Sequence, residues 1–331
     1  MATEPLSFQK VLDSLLANSK EFPRRYLQEF SDIGPIELRA LLDVWPRVEL
    51  SRKLTLLEEL DALAETDTLV SFDDFASAML TDPDPQVRVR AIRLLDESED
   101  VKLVPSFLDM LKNDPDLNVR VEAAKALGLF VDLGELEEIP ETIYHQVEDA
   151  LLTSITGDDD ARVRRAALES IGYSSRPEVA TLIDSSFRRE ESNWKVSALT
   201  AMGRSADERW ADDVTRTLVS ENDNLRKAAV QAAGELSLKS TRPLLLRMLG
   251  EEEDGLVLSA IIWSLSQIGG EDVRTYLENL LDQLEEDDEQ IAFLEEALDN
   301  LAFTEDLDRF DLLAFDPDDK LLEIEEDEDE E

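Results

Sequence analysis

The 331-residue chain carries 78 acidic and 33 basic side chains, which give a formal net charge of −45. A negatively charged surface repels nucleic acid and anionic lipid. The absence of cysteine excludes disulfides, thiolate metal sites and cysteine nucleophiles, and it agrees with a cytoplasmic protein. No apolar stretch approaches the roughly 18 residues of a membrane span, and residues 1–5 lack the basic and apolar regions of a signal peptide.

Residues 1–34 are predicted to form a helical cap. Its first helix is indicated by apolar residues at helical spacing, namely Phe8, Val11, Leu12, Leu15 and Leu16. Another short helix is predicted after Pro23. Residues 35–69 are predicted to form a divergent first repeat of two helices, divided near Trp45 and Pro46, because terminal repeats often differ from their neighbours.

A ten-residue pattern recurs from residue 87 onward. Most copies begin with an apolar residue and Arg or Lys, have alanine at the fifth position and end in glycine. The five clearest copies begin at Val87, Val119, Val163, Trp194 and Leu225. The intervals between these starts are 32, 44, 31 and 31 residues, and the first copy has Asp96 in place of the glycine. Such periodic self-similarity predicts stacked repeats rather than a closed globule.

Each interval near 32 residues leaves room for two helices of about ten residues with short links. An apolar first helix precedes an acidic turn, and the second helix is predicted to begin at the copy. Two further starts follow at Val257 and Ile291, 32 and 34 residues along. Acidic residues or asparagine lie three residues before each of the seven starts: Asp84, Asp116, Asp160, Glu191, Asn222, Asp254 and Asp288. A side-chain oxygen at that position can accept the unpaired backbone N–H groups at the start of a helix.

This combination of acidic turn, Val-Arg start, alanine and closing glycine resembles the HEAT-repeat family, in particular the bacterial HEAT-like repeats of the phycobilisome lyases. The resemblance implies an all-α chain. Specifically, it implies an α-solenoid over residues 35–302, a right-handed superhelix of about seven antiparallel helix pairs. Because this repeat serves many unrelated tasks, the resemblance does not identify the function.

Stacking should align the basic residues at the second position of each copy, which are Arg88, Arg120, Arg164, Lys195 and Arg226. One interpretation is a basic row that reaches an anionic ligand. The favoured interpretation is an internal ladder with the acidic turn residues Asp84, Asp116 and Asp160, because HEAT-like repeats generally carry such a ladder.

Three further segments interrupt or follow the repeats. Residues 129–145 form an insertion, predicted to be a loop or short helical turn. Residues 303–315 are predicted to be a strap over the last repeat, with a short linear motif as the alternative. Residues 316–331 contain 11 acidic residues and one lysine, a composition that predicts disorder.

No catalytic, cofactor or metal site is predicted. The single histidine, His145, is followed by Gln146 rather than by the glutamate of the His-Glu pairs that bind iron in deoxyhypusine hydroxylases. The acidic runs 158–160 and 251–254 are more typical of solvated turns than of divalent-ion sites. Neither a phosphate-binding glycine loop nor a nucleophile elbow is present.

Two successive loops are unusually rich in arginine, serine and aromatic residues. Tyr173 and Arg176 lie in the first, and Arg204, Arg209 and Trp210 lie in or beside the second. Because arginine and aromatic residues are common in binding hot spots, these five are predicted to contact a partner. The alternative is that Trp210 opens the next helix and packs inward.

The favoured function is therefore a non-enzymatic scaffold that binds another protein, one with a basic segment, through its acidic surface. Two alternatives remain open. In the first, the chain is an enzyme of the lyase or hydroxylase type. In the second, its acidic rows mimic nucleic acid and sequester a DNA- or RNA-binding protein.

Overall fold

The computed structural model describes residues 7–17, 21–284 and 290–314. The predicted acidic tail at 316–331 and the candidate cap Asp288 lie outside these ranges. Within them the secondary structure is helical and contains no β-strand, which confirms the all-α class. The chain divides into two compact units, residues 1–201 and 202–331, which are described separately.

The first unit is a stack of helix pairs. Its helices are α1 (Phe8–Leu15), α2 (Pro35–Val44), α3 (Leu50–Ala64), α4 (Asp73–Met79), α5 (Pro85–Arg93), α6 (Val104–Asn113), α7 (Leu117–Glu135), α8 (Glu141–Thr156), α9 (Ala161–Ile171), α10 (Pro177–Phe187) and most of α11 (Ser192–Arg204). Helices α4, α6 and α8 pack on α5, α7 and α9, and the second helices α3, α5, α7 and α9 pack on one another in order. This is the arrangement of an α-solenoid.

The first repeat is covered by α1 and a short 3-10 helix at Arg24–Phe30. Val11, Leu12 and Leu15 on α1 are buried. Phe30 packs edge-on against Phe75 of α4, with ring centres 5.2 Å apart. The predicted N-terminal cap is therefore helical, and it shields the apolar end of the stack.

The second unit continues the same pairing. Its helices are α12 (Ala211–Thr217), α13 (Asp223–Glu235), α14 (Arg242–Glu251), α15 (Gly255–Ile268), α16 (Glu271–Leu281) and α17 (Gln290–Ala314). Helices α12, α14 and α16 pack on α13, α15 and α17, and α15 lies between α13 and α17. No helix in the described ranges combines the length and the hydrophobicity that crossing a bilayer would need.

At five of the starts, the acidic residue or asparagine three positions before the copy caps the second helix of its repeat. The Asp116 carboxylate accepts the backbone N–H groups of Asn118 and Val119 at 2.8 and 3.2 Å. The side chains of Asp84, Asp160, Asn222 and Asp254 accept equivalent bonds. These contacts satisfy donors that a helix start leaves unpaired, which explains why each acidic turn begins a helix.

Small residues let neighbouring second helices approach closely. The alanine at the fifth position is fully buried in each of the five clearest copies; these residues are Ala91, Ala123, Ala167, Ala198 and Ala229. The closing glycine has a similar role. A Cβ atom added to Gly172 would lie 2.8 Å from the Cα atom of Ala201 in α11, so any larger residue would push the two helices apart.

Two segments differ from expectation because the preceding helix continues through them. Residues 129–135 of the insertion are not a loop but the last turns of α7, where Phe130, Val131 and Leu133 are buried. Likewise, residues 303–314 continue α17 instead of forming a strap. The buried face of α17 includes Leu294, Ala297 and Leu301, and Glu305 beyond it pairs with Arg274 of α16 at 2.7 Å.

Candidate functional site

A ladder of buried ion pairs joins successive repeats. Nε and Nη2 of Arg88 donate to Asp114 of the next repeat at 2.9 and 2.8 Å, while its Nη1 donates to the carbonyl oxygen of Asp82. Arg120 binds Asp159 at 2.9 Å through both nitrogens, and in the second unit Arg226 binds Glu252 at 2.6 and 2.9 Å.

The predicted ladder acids Asp84, Asp116 and Asp160 are not the partners of these arginines, because their carboxylates cap helices. The pairing carboxylates precede them by one or two residues. Asp82 is also one of these ladder acids, since its carboxylate lies 2.7 Å from the ammonium nitrogen of buried Lys53 in α3. These acidic turns thus carry one carboxylate that caps the second helix and another that pairs with a basic side chain of the preceding repeat.

Two of the predicted ladder positions depart from this scheme. Nε of Arg164 donates to the carbonyl oxygen of Ile155 at 2.8 Å, and the guanidinium lies over the indole ring of Trp194 at 5.5 Å. Neither Arg164 nor Lys195 forms an ion pair within residues 7–17, 21–284 and 290–314.

In the first unit, the loop that carries Tyr173 and Arg176 is held against α8. The Ser174 hydroxyl donates to Glu148 at 2.6 Å, and Arg176 lies 2.8 Å from Asp149 and 2.6 Å from Glu178. These hydrogen bonds, first that to Asp149 and then that to Glu178, raise the pKa of Arg176 above its usual range. Tyr173 is half-buried. The charge of Arg176 is therefore already compensated within the chain.

In the second unit, Trp210 is 5% exposed and immediately precedes α12, so it packs inward. Arg209 is mostly exposed and lies 2.5 Å from Asp207. Arg204 ends α11 and also has a partner within the chain. Trp210 thus follows the alternative of inward packing. That Arg204, Arg209 and the loop of Tyr173 and Arg176 contact another protein stays a prediction.

His145 lies beside a buried carboxylate but not in a catalytic order. Its Nδ1 is 2.8 Å from Glu148, which is also the acceptor for Ser174. A hydrolytic triad needs the imidazole between the nucleophile and the acid. Here the acid lies between the hydroxyl and the imidazole, so His145 has no hydrogen bond through which to take the proton of Ser174. No group of metal-ligating side chains occurs among the described residues.

A strongly acidic concave surface of the first unit lies between the ends of α3 and α5. This cavity of about 580 Å³, the acidic cleft, is lined by eight carboxylates and one basic residue, Arg93. The carboxylates are those of Asp61, Glu65, Asp67, Asp73, Asp96, Glu97, Glu99 and Asp100. No other described cavity has a comparable number of acidic side chains.

The cleft exists because one second helix ends early. Helix α5 stops at Arg93, and Asp96 occupies the position of the closing glycine. In the next repeat, by contrast, α7 continues through the equivalent Gly128 to Glu135. The chain therefore turns away from the stack at residues 94–100, and a space remains between this turn and the link that follows α3.

Negative charge in the cleft is only partly balanced from within it. Burial, together with the neighbours Glu65 and Glu97 respectively, raises the pKa of Asp61 and Asp96, and Arg93 partly opposes this effect at Asp61. The guanidinium of Arg93 binds Glu122, outside the cleft, at 2.9 Å. Leu69 is 89% exposed and lies in the chain between Thr68 and Val70, which both line the cleft. An exposed apolar side chain therefore flanks the carboxylates of the cleft.

Sequence reasoning did not find this cleft. Its acids come from two links that are far apart in the chain, and each one alone resembles a solvated turn. One residue in the sequence pointed to the cleft. Asp96 stands at the tenth position of its copy, where most copies have glycine, and it marks the repeat whose second helix ends early.

Comparisons with known proteins agree with the stacked helix pairs. The family model for HEAT repeats matches residues 72–145 and 212–299. A solved chain from the complex of CpcE and CpcF of phycocyanin lyase, from Nostoc sp. PCC7120, has 16% identity and a TM-score of 0.50. The match covers 91% of this chain and 97% of that chain. At this identity the likeness shows the fold alone.

A further solved structure is similar at lower TM-score. Kap121p bound to Pho4p has 14% identity and a TM-score of 0.44, covering 88% of this chain and 36% of that chain. A search of curated proteins gives no significant match. The two matched segments lie within the repeated helix pairs, so residues 72–145 and 212–299 are HEAT repeats.

Proposed function

We propose that this HEAT-repeat chain is a non-enzymatic scaffold that binds another protein through a basic segment, and that the acidic cleft receives this segment. The observation that carries the proposal is the lining of the cleft. Eight carboxylates surround about 580 Å³, and the one basic side chain among them is bound to Glu122.

A lysine or arginine side chain in the cleft would supply the missing positive charge. Since burial and like charge raise the pKa of Asp61 and Asp96, a bound cation would stabilise their ionised forms. Exposed Leu69 offers an apolar contact that does not depend on salt. We therefore expect a partner segment that combines basic and apolar residues, with an association rate that decreases at high ionic strength.

The arrangement around His145 provides no hydrolytic triad, because Glu148 separates the imidazole from Ser174. The enzymatic alternative is instead a lyase or a hydroxylase. An absorption spectrum and metal analysis of the purified chain test that alternative directly. A bound chromophore or a stoichiometric metal ion would count against the scaffold. The nucleic-acid mimic predicts in addition that duplex DNA competes with the chain for its partner, whereas a dedicated protein segment would not be displaced by DNA.

The test is affinity capture from lysate at low and high salt with three forms of the full-length chain. The cleft variant is D61N/D96N. The control variant, D43N/D158N, removes two exposed carboxylates outside the cleft, so both variants carry the same net charge.

We expect a salt-sensitive partner that the wild type and D43N/D158N retain and that D61N/D96N loses by at least tenfold. Equal loss of the partner in both double variants would show that binding depends on net charge alone. Retention of the partner by D61N/D96N would show that it binds elsewhere. Either result contradicts the proposal.

A further inference from the structure

The carboxylates of the ladder come from the acidic turns. They lie four or five residues before the start of a copy, and they are Asp82, Asp114, Asp159 and Glu252. In the copy that begins at Trp194, the residues five and four positions earlier are Arg189 and Glu190, and Glu190 is exposed and forms no ion pair with Arg164 within the described residues. Arg164, the preceding ladder residue, therefore lacks the carboxylate partner of its counterparts and shares the ring of Trp194 with Arg189.

The geometry of Arg164 changes accordingly. Arg88, Arg120 and Arg226 direct Nε and Nη2 to the next repeat and Nη1 to their own turn. Nη2 of Arg226 donates in addition to Asp223 of its own repeat. Nε of Arg164 is instead bound to Ile155, so its two terminal NH2 groups are left without a hydrogen-bond partner in the described part of the chain.

Trp194 holds the two arginines near each other. The guanidinium carbon of Arg164 lies 5.5 Å from the centre of the indole ring, and that of Arg189 lies 4.1 Å from the same centre. The two guanidinium carbons are thus less than 10 Å apart. Because Trp194 is only 5% exposed, its ring is a fixed platform that positions both cations through cation–π contacts.

This cluster is an exception in a chain of net charge −45. Arg164, Arg189 and the adjacent Lys195 are each half-buried, and none of them has an ion-pair partner among the residues that the structure describes. Partial burial removes water from these cations and strengthens their interaction with any anion that reaches them. The nearby acids Glu190 and Glu191 are exposed and do not pair with them.

We propose that Arg164, Arg189 and Trp194 form a binding site for an oxyanion, a carboxylate or phosphate group that takes the place of the missing ladder acid. The planar, multidentate guanidinium suits both groups. The site does not depend on the proposed function of the acidic cleft. It would let the scaffold bind an anionic group in addition to a basic segment.

The test uses full-length protein with 15N-labelled tryptophan, in which the indole resonance of Trp194 is assigned with Trp194→Phe. Inorganic phosphate and glutarate are titrated separately at low salt. We expect a saturable shift of the Trp194 resonance with at least one of them. A response to phosphate alone identifies a phosphoryl ligand, and a response to glutarate alone identifies a carboxylate.

Arg189→Glu supplies the missing acid from within the chain. It should weaken oxyanion binding at least tenfold and raise the midpoint of thermal unfolding, because Arg164 gains a ladder partner. Arg188→Glu is the matched control, since Arg188 is mostly exposed and pairs with Asp184. This control should retain binding. Absence of any saturable shift, an equal shift in Arg189→Glu, or a lower unfolding midpoint for Arg189→Glu would overturn the proposal.

Discussion

Arg88 and Asp114 form a bidentate ion pair between consecutive repeats, at 2.9 and 2.8 Å, and their side chains are only 11% and 8% exposed. The same carboxylate accepts the backbone N–H of Asp116 at 2.9 Å, and Asp116 in turn caps α7. One acidic turn therefore fixes the distance to the preceding repeat and the start of its own second helix. These two contributions can be separated by mutation.

Asp114→Asn should destabilise the first unit by about 3 kcal/mol, because the buried guanidinium of Arg88 loses its counter-charge. Asp116→Ala should cost about 1 kcal/mol, since it removes a helix cap from a more exposed position. Urea denaturation monitored by circular dichroism measures both losses. Equal losses for the two variants would show that the ladder and the cap are not distinct.

Glu252 should make the second unit sensitive to acid. The hydrogen bond from Arg226 lowers the pKa of Glu252 from 4.5 to about 2. Because the folded pKa lies below the unfolded one, the stabilisation is complete above the unfolded pKa and is lost as the pH falls through the folded pKa. The stability difference between the wild type and Glu252→Gln should accordingly narrow from pH 5 to pH 2, as thermal melts across that range would show. A difference that is constant with pH would contradict the assignment.

Asp61→Asn should stabilise the chain although it weakens partner binding. Burial, and then Glu65, raises the pKa of Asp61, so its ionised form is less favourable in the folded state than in the unfolded one. The destabilisation grows as the pH rises through the folded pKa, and at pH 7 the asparagine variant should be more stable by less than about 1 kcal/mol. Thermal melts with Asp43→Asn as control measure this. A destabilised Asp61→Asn would contradict the view that charge in the cleft is only partly balanced.

Close helix packing predicts opposite results for two glycines. Gly172→Ala should destabilise the first unit by about 1 to 3 kcal/mol, because its Cβ would lie 2.8 Å from the Cα atom of Ala201. Gly255→Ala introduces a methyl group at the start of α15 with no atom within 4 Å, so we expect no loss or a gain of up to about 1 kcal/mol. Chemical denaturation compares the two, and similar losses would argue against steric contact as the cause.

The repeat pattern predicted the fold well because it encodes both ends of the second helices. Asp116 caps α7 and Val119 lies in its buried first turn, as the pattern indicates. The end of α7 was missed because Gly134 and the nearby acids resemble a loop, although Phe130 and Val131 continue its buried stripe. Local composition at that point conflicts with tertiary packing, and packing determines the outcome.

The site was less predictable because it depends on contacts between repeats. The sequence identified Arg88 and Arg120 as ladder residues, but their partners are Asp114 and Asp159 rather than the acids that cap the helices. Without the correct column of acids, Arg189 could not be recognised as an exception. Pairing across repeats is set by the helix packing distance, which a single sequence does not specify.

The claim that the acidic cleft receives a basic segment is tested most directly by site-specific photo-crosslinking. A photoreactive amino acid in place of Leu69 marks the edge of the cleft, and one in place of exposed Leu136, outside the cleft lining, serves as the control position. Peptides cross-linked to each position are sequenced. We predict that Leu69 captures a segment rich in lysine or arginine, that D61N/D96N abolishes this product and that position 136 does not give it. Capture of an acidic or neutral segment, or the same product from both positions, would contradict the account.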